Sequence, residues 1–477
     1  MIRDYVMLLC LCTVSGKEGY FWHISDIHFD PSYSIQGNGD GKCWSPKSRA
    51  GLNDKMPNAG PYGHYNCDSP WALVESAAKA MKTIHGDIEF VLWTGDTLSK
   101  YSGSTDESRM RYLKNISDLL SHTFTGQFVF PVLGHEDAGL NFSRIANLWR
   151  NWLPDEALVT LRENGYYTIE QRSKNYQIIS LNTNLWLSPV SDNRMPVSQQ
   201  QQQQQQLQQR IVNQPLASAM SSSSDPANQW RWFDSVLNTA RKKGKTVFIV
   251  GHTPPGIDDR ESGTGGITEE HNARYLQTVR QYADMIRGQF FGHWHSDSFR
   301  VMYSDDDEPV SWAMMAPSIT PYRSGGPNNP GLRLYKFDID TGQILDYSQY
   351  YLNLPEANSG KRANWRHEYN LREYYELQEI TALSLHDLAD RFTQTNDNAF
   401  VRYYAANRVS LPREVEEIWG CGGALNGLCA LQHYCTVTRL TSRGYASCVS
   451  SYAYALASAI STSWLLLTVH LLLMLSR

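Results

Sequence analysis

Six carboxylate and imidazole side chains stand directly after short apolar runs, and this pattern constrains the fold of the chain more than any other. The runs are Tyr20–Ser25, Phe90–Thr94, Val247–Val250 and Gln289–Phe291. Their length and composition are typical of buried strands. The side chains that follow them are Asp26, His28, Asp96, His252, His293 and His295. Ligands of these types, delivered together from several strand ends, predict a two-metal hydrolytic site.

Amphipathic stretches separate these apolar runs. The apolar residues between Trp71 and Ile84 keep helical spacing, and Ser69 and Pro70 suit the N-cap and the first turn. A second stretch of this kind, Trp230 to Ala240, precedes the Val247 strand. Alternating strands and helices predict an α/β layered domain.

Composition and charge limit the kinds of partner that the chain can bind and the number of domains that it can form. The chain has 477 residues and a net charge of -5, without a long basic block, so we expect no nucleic acid polymer as a partner. Residues 190–227 contain a glutamine tract and a serine run, which predict a flexible surface insertion. We expect a main domain over 17–354, a smaller helical subdomain that bears disulfides over 355–450, and a monomer.

Both ends of the chain resemble processing signals. Residues 1–16 combine an early arginine, a short apolar core and small residues, which predicts a secretory signal peptide; the alternative is a buried first strand. Residues 451–477 end in an apolar tail of about a dozen residues, short of the ~20 that span a bilayer. With small residues before it, this tail predicts a removed GPI-attachment signal, and a spanning helix is the alternative.

Cysteines and glycosylation sequons agree with an extracellular, membrane-anchored protein. Six cysteines lie beyond the predicted leader: Cys43, Cys67, Cys421, Cys429, Cys435 and Cys448. An even number in an exported chain predicts disulfides, and the grouping suggests Cys43 with Cys67 and the last four among themselves. A four-cysteine zinc site is disfavoured because no Cys-x-x-Cys spacing occurs. Asn115 and Asn141 head glycosylation sequons.

The ligand pattern resembles a known family once its flanking residues are included. The segments that carry the resemblance are Phe21–His28, Cys67–Leu73, Leu92–Asp96, Leu181–Leu185, Val250–Gly256 and Gly288–Arg300. They are similar to the calcineurin-like metallophosphoesterases and, within these, to the acid sphingomyelinase-like phosphodiesterases of the 3b-like, GPI-anchored type. The resemblance implies a layered β-sandwich flanked by helices.

The resemblance also implies a cofactor and a role for each ligand. Asp26, His28 and His295 would hold one zinc ion, His252 and His293 a second, and Asp96 would bridge both. The implied reaction is the attack of a metal-activated hydroxide on the phosphorus of a small phosphodiester or phosphoanhydride, either a nucleotide or a phosphocholine-type ester.

One motif departs from the family pattern at His135. The family has Gly-Asn-His, in which Asn ligates a metal and His assists the leaving group, whereas this chain has Gly134-His135-Glu136-Asp137. If Asn is deleted, His135 keeps the catalytic role and the second metal loses a ligand. If His135 fills the Asn position, metal binding survives and Glu136 replaces the catalytic imidazole. We favour the first alignment, with His135 as the catalytic residue, because it keeps an imidazole for the leaving group.

A second departure is Lys100, which stands where relatives carry a histidine. A lysine offsets the charge on a leaving group but is a poor proton donor at its ordinary pKa. The sequence therefore supports two hypotheses. The first is an active zinc-dependent phosphoric diester hydrolase, and the second is a catalytically weakened relative that acts at the membrane surface as a lipid-binding or modulating protein.

Overall fold

The computed structural model describes residues 17–451 except 38, 40–42, 45–58, 104, 171–173, 188–223, 261–264, 324, 413–414 and 416–426. Four predictions therefore concern residues outside the described part, wholly or nearly so. They are the leader 1–16, most of the insertion 190–227, Cys421 of the last four cysteines, and the attachment signal 451–477 apart from its first residue.

In the described part of the chain, twelve strands form two six-stranded sheets. The strands are β1 (Glu18–Ile24), β2 (Phe90–Trp93), β3 (Phe128–Pro131), β4 (Tyr167–Glu170), β5 (Tyr176–Ser180), β6 (Thr246–Val250), β7 (Ile286–Phe291), β8 (Ser298–Tyr303), β9 (Pro309–Met315), β10 (Gly331–Asp338), β11 (Ile344–Leu352) and β12 (Trp365–Asn370). The first sheet has the order β12-β11-β10-β1-β2-β3 and the second the order β4-β5-β6-β7-β9-β8.

Helices connect and cover these strands. They are α1 (Trp71–Ile84), α2 (Asp106–Thr123), α3 (Phe142–Leu148), α4 (Asp155–Asn164), α5 (Gln229–Lys242), α6 (Glu269–Tyr282), α7 (Leu354–Gly360), α8 (Leu371–Tyr375), α9 (Ala382–Asp390), α10 (Ala399–Asn407), α11 (Gly427–Thr438) and α12 (442–451). Thr105 and Thr268 cap α2 and α6 by accepting backbone N–H bonds.

Aromatic side chains fill the space between the two sheets. Phe21 of β1 lies with its ring centroid 5.5 Å from that of Phe290 in β7 and 6.1 Å from that of Phe248 in β6. All three rings are fully buried. Burial on this scale removes about 150–250 Å² of each ring from water and holds the sheets face to face.

The outer faces of the sheets are covered by helices. Leu73 of α1 and Leu113 of α2 are buried in the same core cluster as the first sheet. On the second sheet, Trp230 of α5 and Tyr275 of α6 join a cluster that includes Ile249. The predicted α/β class, a layered β-sandwich flanked by helices, is confirmed.

The C-terminal part contains the predicted helices and also a strand that was not predicted. β12 pairs antiparallel with β11 and extends the first sheet, and α7–α12 follow or precede it. Disulfides join Cys43 to Cys67 and Cys435 to Cys448, and Cys429 is also disulfide-bonded. The predicted pair Cys43–Cys67 is confirmed, whereas the domain boundary at residue 354 stays a prediction.

The two sequons differ in their surroundings. Asn115 is exposed on α2, but Ser117 of the same sequon is buried and accepts a bond from Trp149 Nε1 at 3.1 Å. Asn141 is exposed at the N-cap of α3, where its side chain accepts from the backbone N–H of Arg144. Among the described helices, none has both the length and the apolar character needed to cross a bilayer.

Removal of the C-terminal disulfide is expected to destabilise the fold. Cys435 and Cys448 are 13 residues apart, and Cys435 is fully buried in α11. A closed loop of this length contributes about 3 kcal/mol by restricting the unfolded chain. The double variant Cys435→Ser/Cys448→Ser should therefore lower the urea midpoint under non-reducing conditions. An unchanged midpoint would contradict the expectation.

Candidate metal centre

The candidate ligands lie at the edge of the sheets where the parallel strands end. β1 pairs parallel with β2, and β6 pairs parallel with β7. The loop after β1 carries Asp26 and His28, and the loop after β2 carries Asp96. In the facing sheet His252 follows β6, and His293 and His295 follow β7. The structure thus brings together all six residues that the strand-end pattern predicted.

Most of these residues adopt left-handed backbone conformations. Positive φ angles occur at Asp26 (51°), His28 (45°), Asp96 (49°), His293 (71°) and His295 (56°). Such conformations are costly for residues that have a Cβ atom and concentrate at functional sites. Backbone bonds hold them in place: Asp26 N donates to Gly95 O and His28 N to Asp96 O, both at 3.0 Å.

The first cluster consists of Asp26, His28 and His295, whose ligand atoms all lie within 4.8 Å of one another. Asp26 Oδ1 is 3.7 Å from His28 Nε2 and 3.4 Å from His295 Nε2. His295 Nδ1 contacts the carbonyl oxygen of Tyr322 at 2.8 Å. If Nδ1 donates there, Nε2 keeps a free lone pair that faces Asp26.

The second cluster consists of Asp96, His135, His252 and His293, also within 4.8 Å of one another. Asp96 Oδ2 lies 2.9 Å from His135 Nδ1 and 3.2 Å from His252 Nε2. His252 Nδ1 contacts the Thr94 carbonyl oxygen at 2.8 Å, so its Nε2 can present a lone pair. Asp96 Oδ2 is also 3.5 Å from His28 Nε2, and the carboxylate therefore borders both clusters.

His135 belongs to the second cluster by position. Its Nδ1 atom lies 3.2 Å from His252 Nε2, and its ring centroid is 4.9 Å from that of His293. A place in this cluster is what the second alignment expects, in which His135 fills the position of the family asparagine; the catalytic role that the first alignment gives to His135 stays a prediction. Glu136 then follows at the edge of the site, with Oε1 3.6 Å from His135 Nε2.

Asp137 and Asn184 fix the loop that carries His135. The buried carboxylate of Asp137 accepts backbone N–H bonds from Gly134 and Thr97 at 3.1 Å each. Asn184 Nδ2 donates to the Gly134 carbonyl oxygen at 2.8 Å. A Cβ on Gly134 would lie 2.0 Å from Asp96 Oδ1, so only glycine allows this approach. The sequence reasoning assigned no role to Asp137 or Asn184.

The electrostatics of the clusters favour bound cations. Burial opposes ionisation of Asp96, but the imidazoles of His135 and His252 hold the pKa of its carboxyl well below its usual range. Burial likewise opposes ionisation of Asp26, and His295 and His28 lower its pKa. Several buried ligand atoms have no hydrogen-bond partner: Asp26 Oδ1, His28 Nε2, Asp96 Oδ2 and His293 Nδ1. Converging carboxylate oxygens and imidazole nitrogens that have no hydrogen-bond partner fit divalent metal ions.

Lys100 lies near the rim of the site and is exposed. Its Nζ atom is 5.0 Å from the centroid of the Tyr101 ring. Burial lowers the pKa of Lys100, but Tyr101, Tyr322 and Glu136 outweigh this effect and raise it above the ordinary value. Lys100 therefore stays cationic at neutral pH.

Comparisons with known proteins agree with this architecture. The family profile described as "Calcineurin-like phosphoesterase" matches residues 19–297, and that described as "Acid sphingomyelin phosphodiesterase C-terminal region" matches residues 308–455. The chain is 33% identical over 451 residues to the cyclic GMP-AMP phosphodiesterase SMPDL3A of Bos taurus, covering 91% of each chain. It is 32% identical over 454 residues to the acid sphingomyelinase-like phosphodiesterase 3b of Homo sapiens, covering 91% of this chain and 90% of that protein.

Proposed function

This chain belongs to the calcineurin-like phosphoesterase family, and we propose that it is a zinc-dependent hydrolase of small phosphodiesters or phosphoanhydrides. The observation that carries the proposal is the pair of ligand clusters that share the Asp96 carboxylate. One relative is named a cyclic GMP-AMP phosphodiesterase and another a sphingomyelin phosphodiesterase, and these names support a nucleotide or a phosphocholine-type ester as the substrate class.

The residues divide between two metal positions. Asp26, His28 and His295 would hold the first ion, and His252 and His293 would hold the second together with His135. Asp96 would contact both. Imidazole-rich donor sets suit zinc better than magnesium or calcium, which prefer oxygen ligands. When bound, two zinc ions would neutralise charge on the phosphoryl oxygens and lower the pKa of the attacking water.

The protein's own groups have separate tasks in this reaction. The carbonyl oxygens of Thr94 and Tyr322 orient His252 and His295 through their Nδ1 atoms. Ser25 Oγ donates to Asp26 Oδ2 at 2.6 Å, and His293 N donates to the same oxygen at 2.9 Å. These two bonds fix the Asp26 carboxylate so that its Oδ1 atom faces the imidazoles of His28 and His295. Lys100 would offset negative charge that develops on the leaving oxygen.

Metal removal tests the proposal directly. Protein treated with a chelator and then freed of it should lose hydrolysis of bis(p-nitrophenyl) phosphate, and zinc should restore it. Turnover that persists at its full rate in zinc-free protein would overturn the metal-dependent mechanism. Zinc binding without any turnover would favour the catalytically weakened relative at the membrane surface.

The Asp137 carboxylate offers a more specific expectation. Asp137→Asn removes an acceptor that binds the backbone N–H groups of Gly134 and Thr97. Because these bonds fix the His135 loop, zinc affinity should fall by about 10–100-fold. Competition with a chromophoric chelator measures this change. Asp118→Asn, at a partly exposed position on α2, is the matched control, and equal zinc affinity in the two variants would contradict the expectation.

The cellular location is part of the proposal. The predicted leader and attachment signal, together with the disulfides, support a cell-surface, GPI-anchored protein. A phosphatidylinositol-specific phospholipase should then release the protein from intact cells. Retention of the protein after this treatment would favour a spanning segment.

A further inference from the structure

Arg408 is a buried arginine within the second matched region, and no described carboxylate forms an ion pair with it. Arg408 follows the last residue of α10, and only 3% of its surface is exposed. Its guanidinium lies over the Tyr404 ring, 5.5 Å from the centroid. The Nε and Nη1 atoms of Arg408 are buried and have no hydrogen-bond partner. An arginine side chain is not deprotonated in proteins, so this positive charge persists.

A second guanidinium adds to the positive charge. Arg260, in the loop after β6, donates to the carbonyl oxygen of Asn407 at 2.9 Å, directly beside Arg408. Its Nε atom is also buried without a partner. Burial lowers the pKa of Arg260 most, and Arg408 is the charged neighbour that lowers it next.

The nearby carboxylates contact a third arginine, although Asp259 Oδ1 has no hydrogen-bond partner and the charge of Asp259 also acts on Arg260. Asp258 forms an ion pair with Arg323, and Asp259 lies 3.5 Å from the same guanidinium. Among the described residues, no carboxylate forms an ion pair with Arg260 or Arg408. Burial and the positive field of Arg408, Arg260 and Arg300 outweigh Asp259 and lower the pKa of His433 to about 4, so that imidazole is neutral at neutral pH.

We infer that Arg260 and Arg408 bind a small inorganic anion, such as chloride, between the loop after β6 and the end of α10. A buried cation without a partner is strongly unfavourable, and neither arginine can lose its proton. A water molecule would satisfy hydrogen bonds but would leave the charge. The burial of the Arg408 guanidinium favours a small monovalent ion over a phosphate ester.

The anion site connects to the metal centre through side chains. Arg260 Nη2 donates to Asn328 Oδ1, and Asn328 Nδ2 donates to the carbonyl oxygen of His295. Binding of an anion at Arg260 should therefore affect the position of His295 in the first cluster. Chloride binding should raise the stability of the fold directly. It should raise turnover indirectly, through the position of His295.

Thermal unfolding in chloride tests the inference. At constant ionic strength, exchange of gluconate for chloride up to about 0.3 M should raise the Tm of the full protein by about 2 °C or more. Arg408→Met keeps the aliphatic stem but removes the donors, and it should abolish this response. Arg402→Gln, on the same helix but paired with Glu376, is the control and should keep the response.

Bromide gives a second readout that does not depend on a variant folding. Crystals of the wild-type protein soaked in bromide should show an anomalous peak beside Arg408 Nε and Nη1. Equal Tm values in chloride and gluconate would overturn the inference, as would a chloride response retained in Arg408→Met. An anomalous map without a peak at Arg408 would also overturn it.

Discussion

Asp96→Ala is expected to lower kcat/KM for bis(p-nitrophenyl) phosphate by about 10³-fold or more. The Asp96 carboxylate lies 3.5 Å from His28 Nε2 and 3.2 Å from His252 Nε2, so it faces both clusters. Its loss removes one ligand from each metal position and the only negative charge of the second cluster. Bound zinc should fall from about two ions per chain to one or fewer.

Asp118→Ala is the matched control for this variant. Asp118 is partly exposed on α2 and pairs with Lys114 one turn away. Its replacement should change kcat/KM by less than about twofold, as surface substitutions commonly do. The account would be wrong if Asp96→Ala retained two zinc ions and more than about a tenth of wild-type turnover.

His135→Asn and His135→Ala are expected to differ sharply in zinc binding and in turnover. His135 faces the second cluster through Nδ1, which is 2.9 Å from Asp96 Oδ2. The Oδ1 atom of an asparagine is bonded to the same Cγ position, so His135→Asn can present a ligand where Nδ1 stood. His135→Ala presents none, and zinc binding at the second position should weaken by about 10²-fold. His135→Asn should retain both ions and most turnover.

Zinc competition and kcat/KM together separate the two roles of His135. A leaving-group acid predicts that Ala and Asn variants lose turnover equally while binding two zinc ions as tightly as the wild type. A metal ligand predicts that the Asn variant resembles the wild type and the Ala variant does not. His122→Ala, at an exposed position on α2, controls for the general loss of an imidazole.

The strand-end ligands could be predicted because local sequence and long-range structure agree there. Each of the four apolar runs forms a buried strand: β1, β2, β6 and β7. Parallel strands end at a common edge, so residues directly after them meet even when they are distant in sequence. The positions of Asp26, Asp96 and His252 follow from this geometry.

The last strand, β12, could not be predicted because its pattern is not that of a buried run. β12 reads Trp-Arg-His-Glu-Tyr-Asn, and most of its residues are only partly buried. It becomes a strand because β11 offers an unpaired edge, which is a tertiary effect. The sequence of this region therefore predicted only the helices.

The alignment of His135 also depended on tertiary structure. Acidic residues stand both directly after His135 and one position later, at Glu136 and Asp137, so the local sequence does not distinguish the two alignments. The carboxylate that is buried against the backbone of Gly134 and Thr97 is that of Asp137, which is consistent with the second alignment, and the alignment itself stays a prediction. The bond from Thr97 N to the Asp137 carboxylate joins residues that are 40 positions apart, so no local sequence pattern indicates it.

Anomalous diffraction at the zinc edge is the most direct test of the two-metal account. Crystals of the wild-type protein should show two peaks, one bounded by Asp26, His28 and His295 and the other bounded by His135, His252 and His293. Asp96 should contact both, and His135 Nδ1 should lie about 2.1 Å from the second peak. A single peak, or a second peak without His135 among its ligands, would contradict the account.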